Sequence, residues 1–387
     1  NSLHHRAYNL IWNEWFRDQD LQDSVVVDTD DGPDTIGDYV LLKRGKRHDY
    51  FTAARPFVQK GDVVELPLGT AAPVVSTGSG VPTWQSGATG DIQLAGDGST
   101  QSAFFNKITP GTPTLSWDQT RLEADLTSAT AATINQIREA FQTQRLLERD
   151  ARGGTRYTEI VRSHFGVVSP DQRLQRPEYL GGGGSTIELN IVPSTVNINP
   201  AQYGGSLGNP SGYYTGGQTV GFTKSFTEHC VVLGLVNVRA DLTYQQGVPR
   251  MFSRQERFDF YWPVFAHLGE QAILNKEIYY ANNPGTGATQ DEGTFGYQER
   301  WAEYRYKPST ITGTMRSTAA TPLDVYHLGL DFASLPALNS TFIEDAPPIS
   351  RIVGITDEPE FFLDAFFNFR HARPLPTYSV PGLVDHF

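Results

Sequence analysis

Apolar positions near the start of the chain recur at helical spacing. Tyr8, Ile11, Trp12, Trp15 and Phe16 share one face of a helix predicted over Arg6–Gln19. Each buried aromatic removes about 150–250 Å² from water, so this stripe needs a partner surface of comparable size. Either the rest of the chain or a neighbouring subunit would supply it. A second helix is predicted over Ala131–Arg152, with Ile134, Ile137, Phe141 and Leu147 on one side and Gly153-Gly154 as its stop. Further on the period drops to two. Val236, Val238, Ala240, Leu242 and Tyr244 alternate with Asn237, Arg239, Asp241 and Thr243, which predicts a strand with one buried face. Phe361, Leu363, Ala365, Phe367 and Phe369 alternate likewise, and Phe362 and Phe366 make the opposite face apolar too. A strand greasy on both sides suits a sandwich interior or a subunit contact. Shorter strands are predicted at Thr186–Ile191 and Phe258–Pro263, and a helix over His267–Tyr280.

Three tracts lack any period. Between Gly69 and Asn106 the composition turns to Gly, Ser, Thr, Ala and Pro, with Asp91 and Asp97 the only charges, which marks a long insertion. Trp84, Phe104, Phe105 and Trp117 punctuate it and its continuation to Leu126. A disordered linker avoids aromatics, so an ordered surface loop is expected. Gly181–Thr223 carries Glu188 as its only charge, and Ala281–Gly296 is a third Gly-rich loop.

Among 387 residues, 39% are apolar, with 37 Gly and 24 Pro, which favours many short strands and long loops over a helical bundle. No apolar run reaches the roughly 20 residues of a membrane helix, so no membrane insertion is expected. The single cysteine, Cys230, excludes an intramolecular disulfide and is expected to be a small buried hydrophobe. A net charge of −12 argues against nucleic-acid binding over the whole surface.

Candidate chemistry is sparse. Asp28, Asp30 and Gly32 match part of a calcium loop, but Tyr39 stands where a bidentate Glu belongs, and a solvated turn is the plainer reading. His267, Glu270 and Glu277 lack a second His at the spacing a helical metal site needs. Gly204-Gly-Ser-Leu-Gly208 has the hydrolase Gly-x-Ser-x-Gly pattern, yet Asn209-Pro-Ser-Gly212 forbids the helix that a nucleophile elbow requires. No catalytic residue, cofactor or metal is therefore assigned. Lys43, Arg44, Lys46 and Arg47 form the densest basic cluster; it suits phosphate contact, or a solvated loop with inter-subunit ion pairs, and the acidic whole favours the second. Arg370 and Arg373 leave the same two readings open. Arg145, Arg149, Arg152 and Arg156 suit carboxylates on adjacent subunits first and phosphate second. In Glu299–Tyr306, Trp301, Tyr304 and Tyr306 interleave with charges, which fits an inter-subunit hot spot better than base stacking.

Several blocks together resemble the major capsid proteins of gokushoviruses, small single-stranded DNA phages of the microvirus family. They are Arg6–Gln19, Glu148-Arg-Asp-Ala-Arg-Gly-Gly-Thr-Arg-Tyr157, Ser163–Val167 and Arg173–Leu180, then Gly234–Gly247, Phe258-Asp-Phe-Tyr-Trp-Pro263, Gly296–Arg300 and Tyr304–Pro308. Pro322–Val325, Phe342–Asp345 and Ser379–Phe387 complete them. The resemblance implies an all-β fold, a viral jelly-roll β-sandwich with long loop insertions and a few helices, as one domain over residues 1–387. It also implies self-assembly into a T=1 icosahedral shell around a circular single-stranded DNA genome, in a virion assembled in the host bacterial cytoplasm. Family members carry more sequence before this block, so an N-terminal truncation is expected. The resemblance makes Gly69–Leu126 a protrusion at each three-fold axis that meets a host cell-surface receptor, and it supplies a small, very basic virion protein that neutralises much of the DNA. On this reading Trp12, Trp15 and Phe16 join Trp301, Tyr304 and Tyr306 as packing or inter-subunit residues, the basic residues face DNA, and the tail extends along a neighbour. The competing reading is a monomeric carbohydrate-binding β-sandwich whose aromatic loops stack on sugars.

Overall fold

In the computed structural model, residues 1–65, 133–193, 210–281, 290–353 and 359–374 are described, together with short strands between residues 74 and 124. The helical period at the start is realised as α1, Leu3–Ile11, continued by one π turn over Trp12–Phe16. Arg17 then turns extended and ends it. The insertion contributes β1 (Val74–Ser76), β2 (Thr83–Ser86), β3 (Gly90–Gln93), β4 (Leu115–Trp117) and β5 (Leu122–Ala124). β1 and β5 pair antiparallel, and β3-β2-β4 form a three-stranded antiparallel sheet.

The second helix, α2, runs Ile134–Gly153, close to the predicted bounds. Thr133 caps it reciprocally: Gln136 N–H donates to the Thr133 hydroxyl (3.2 Å) and Thr133 N–H to the Gln136 side chain (2.8 Å). Gly154, at φ +97°, ends it where a Cβ would collide with the Glu159 carboxylate. That turn lets α3, Tyr157–Phe165, fold back on α2, and His164 Nε2 lies 2.6 Å from Asp150 Oδ1. No period had predicted α3.

Downstream, β6 (Glu188–Pro193) and β7 (Pro210–Thr215) form a hairpin. β8 (Thr243–Tyr244) pairs parallel with β11 (Ser309–Thr310), and β9 (Glu270–Leu274) pairs antiparallel with β10 (Thr294–Glu299). The β9–β10 hairpin holds the core. Ile273, Ile278, Phe295 and Ala302 pack with Tyr50, Phe51, Ala54, Tyr244 and Phe342. Fully burying each aliphatic contributes about 1.5–3 kcal/mol. Arg55 and Tyr297 exchange backbone hydrogen bonds of 2.8 Å each way, which fastens residues 45–55 along β10.

Several sequence expectations are corrected. The all-β expectation is not reproduced among the described residues, where helix outweighs strand and the small sheets close no barrel. Of the predicted strand over Val236–Tyr244, only Thr243–Tyr244 is a strand; a segment needs a neighbour to take its backbone groups before alternation becomes a ladder. Phe361–Phe369 likewise forms no strand, its aromatics exposed. Phe258–Pro263 forms no strand; it runs from one 3₁₀ turn (Arg257–Asp259) through extended Phe260–Trp262 into a second (Pro263–Phe265). His267–Tyr280 is β9 followed by a single helical turn, because Gln271 and Ile273 are buried alternately and period two wins locally. Cys230 is exposed, not buried, since its segment runs without a partner strand.

Candidate functional site

The opening stripe finds its partner within the chain. Trp12 is buried and its indole N–H donates to the Lys43 carbonyl (3.2 Å); Tyr8 hydroxyl accepts from Leu42 N–H (3.0 Å). Asn9, fully buried, donates to the Val26 and Asp38 carbonyls. Phe16 lies under the Arg44 guanidinium, 4.8 Å from ring centroid to cation. Trp15 points elsewhere. It is 41% exposed, its N–H reaches the Pro177 carbonyl (2.8 Å), and Arg176 stacks on it at 4.1 Å.

The acidic turn after α1 is committed to protein contacts. Arg6 forms a bidentate pair with Asp34, Tyr39 hydroxyl donates to the same carboxylate, and Arg6 also reaches the Asp30 carbonyl (2.8 Å). The Arg6 hydrogen bonds hold the Asp34 carboxyl well below the usual carboxylate range. Among the described residues no group of three His, Cys, Asp or Glu side chains is placed to hold a metal. Glu270, weighed for a metal, pairs with Arg152.

The basic cluster is largely used inside the chain. Lys46 is buried, its ammonium on the Phe342 carbonyl and 4.7 Å from that ring, and burial pushes its pKa down. Arg44 reaches Asn237 (3.4 Å). Lys43 and Arg47 sit near Glu344 and Asp241 but remain largely exposed, as are Arg370 and Arg373. Arg156 donates to the Asn13 carbonyl (2.7 Å), so that arginine also serves the chain's own packing.

The densest chemistry lies around Trp301, which occupies the left-handed region (φ +65°) and is 7% exposed. Its backbone N–H donates to Gln271 Oε1 (3.1 Å), and Gln271 Nε2 donates to Glu303 (2.6 Å). Glu303 takes Arg254 at 3.1 Å. Behind it, Glu277 accepts from Tyr50 hydroxyl (2.8 Å), Leu274 N–H (2.9 Å) and Arg250 (3.0 Å). Burial pushes the Glu277 carboxyl up against the pull of Arg250, and burial beside Glu277 drives the Tyr50 hydroxyl well above its usual value. On the outer side Tyr261 meets Trp301 and Tyr304 edge-on, at 5.7 and 6.1 Å. Arg254 covers Tyr304 at 4.5 Å, Arg300 lies 5.0 Å from Trp301, and Arg257 covers Trp262 at 4.7 Å. Tyr261, Tyr304, Tyr306, Phe258 and Phe260 remain exposed. Arginine and aromatic rings thus form one continuous surface on a buried ionic base.

Sequence reasoning found Trp301, Tyr304 and Tyr306 but treated Phe258–Pro263 separately; the structure joins the two segments. It missed Arg254, Glu303 and the Tyr50–Glu277–Arg250 group, whose members lie far apart in sequence. Trp84 and Trp117 stand opposite each other in the β2–β4 register. Phe104, Phe105 and Gly204–Gly208 fall outside the described residues.

Relatedness agrees across nearly the full length. The chain matches the family described as capsid protein (F protein) over residues 1–383. It is 48% identical to capsid protein VP1 of Bdellovibrio phage phiMH2K, covering 100% of this chain and 74% of that protein. For VP1 of Chlamydia phage 1 the identity is 40%, over 98% of this chain and 74% of the relative. For VP1 of Spiroplasma virus 4 it is 34%, over 99% and 73%. All three relatives are gokushovirus virion proteins, and among the described residues no helix is long and apolar enough to cross a membrane. With its opening helix, its Trp301 segment and its inserted sheets all inside the matched span, the chain belongs to the capsid protein (F protein) family and is a structural component of a phage virion.

Proposed function

We propose that this capsid protein completes a jelly-roll sandwich and assembles into a T=1 icosahedral shell around circular single-stranded DNA. A small basic virion protein shares the neutralisation of the genome, which a chain of net charge −12 cannot supply by itself. Of the basic candidates, Lys43, Arg47, Arg370 and Arg373 keep the exposure that phosphate contact needs, whereas Lys46 does not. The insertion Gly69–Leu126 is read as the protrusion and host-recognition surface, because it carries its own small sheets on a stretch with no core periodicity.

One observation carries the assembly reading: apolar side chains designed for burial stand open in the isolated chain. Phe362 and Phe366 are 97% and 92% exposed, and Phe141 on the α2 stripe is exposed as well. Exposed large apolar side chains of this kind call for partner subunits. Expression of the full-length protein with its virion companions, followed by negative-stain microscopy and sedimentation, tests this. Shells or pentamers are the expected result. A strictly monomeric product would overturn it.

A further inference from the structure

The Trp301 surface sits on a chain whose overall charge is −12, yet its own two segments depart from that balance. Residues 250–263 and 299–307 hold six Arg or Lys against four Asp or Glu. Three of those carboxylates are occupied locally: Glu299 by Arg305, Glu303 by Arg254, and Asp259 by the backbone N–H groups of Gln255 and Glu256 (2.9 Å each). Arg257 is left exposed over an aromatic ring. Tyr261 meets Trp301 and Tyr304 edge-to-face, Arg254 covers one face of Tyr304, and about half of Tyr261 and of Tyr304 is exposed. The platform is stiff beneath: Trp301 is held in a left-handed conformation by Gln271 and Glu303, so the rings are fixed before any ligand arrives.

We infer that this arginine–aromatic surface binds single-stranded nucleic acid, with unpaired bases stacked on Tyr261 and Tyr304 and phosphates drawn by Arg257. Every base offers a π face, so such a platform is sequence-tolerant, and interleaved guanidinium groups add phosphate pairing and cation–π contact. A second copy of this acidic chain would offer the same cations a partner but has no requirement for open ring faces. The inference deepens the packaging role proposed above and rests on it.

Fluorescence anisotropy of a labelled oligothymidylate with unassembled full-length protein tests it, with inorganic polyphosphate as a competitor that has charge but no bases. Tyr261→Ala and Tyr304→Ala are expected to weaken binding about tenfold each with the salt dependence unchanged. Arg257→Ala is expected to weaken it and to reduce the salt slope by about 1. Both tyrosines are partly exposed, and circular dichroism confirms that the variants fold. Unchanged affinity in the tyrosine variants, or polyphosphate competing as well as the oligonucleotide, would overturn base stacking. Loss of shell formation in Tyr304→Ala with normal oligonucleotide binding would also overturn it and assign the surface to a second copy. Failure of the wild type to form shells bears on the assembly reading and leaves this readout intact.

Discussion

Trp12 and Trp15 lie three residues apart on one stripe, and the structure predicts that their removal has different consequences. Taking about 200 Å² for an indole and about 25 cal/mol per Å², near-complete burial of Trp12 amounts to about 5 kcal/mol. Trp15, with 41% of its surface exposed, amounts to about 3 kcal/mol on the same reckoning. Both are upper bounds because the unfolded chain already hides part of its surface. Trp12→Ala should therefore cost about 3–5 kcal/mol, the usual range for a large aromatic removed from a packed site. Trp15→Ala should cost about 2 kcal/mol less, and Trp15→Phe, which removes the indole N–H to Pro177, only about 1 kcal/mol. Urea unfolding of the unassembled chain, followed by far-UV circular dichroism, reads these differences directly. Shell yield is measured beside it. Trp15→Ala is expected to lower yield more than its stability loss explains, since its open face is available to a neighbouring subunit. Equal destabilisation by the two alanine variants, with parallel losses of yield, would refute the division between a packed and a presented tryptophan.

Three further outcomes follow from the same structure. Gly247→Ala is expected to destabilise by about 1–3 kcal/mol, because a Cβ there overlaps the Glu277 carbonyl and meets Ile278 Cα at 3.0 Å; a thermal melt indistinguishable from wild type would contradict that contact. Glu277 has a folded pKa raised by burial, so its contribution is fully present below its unfolded value and is lost as pH rises through the folded one. The stability gap between wild type and Glu277→Gln should thus widen as pH falls from 7 toward 5; a narrowing gap would mean that pairing with Arg250 outweighs burial. Deleting about Thr70–Thr120 removes β1 to β4 and should leave the core around β9 and β10 folded while abolishing host adsorption. Unfolding of that core on deletion would count against an independent insertion.

What the sequence revealed divides along locality. The α1 stripe and α2 were legible because a helical period is local, and α2 adds its own Thr133 cap and stop glycines within a turn of the residues they govern. Strands were not, since alternation at Val236–Leu242 states only that one face wants burial and leaves open which backbone will supply the ladder. β9 was misread as helix for a related reason: Gln271 and Ile273 are set inward by β10 and by residues 45–55, elements some twenty and two hundred residues away. The same distance hid the base of the Trp301 surface. Tyr50, Arg250, Glu277 and Glu303 each look like ordinary surface polar residues in their own neighbourhoods, and only the fold makes them one buried group. The basic cluster shows the converse. Lys43–Arg47 reads as a patch from its density, yet burial of Lys46 against Phe342 divides it, because alternating residues along one extended segment face opposite sides. Charge density along a chain therefore locates cations well and their partners poorly. That asymmetry is why the strongest nucleic-acid candidate lies around Trp301, where arginines are interleaved with rings, and not at the most basic run.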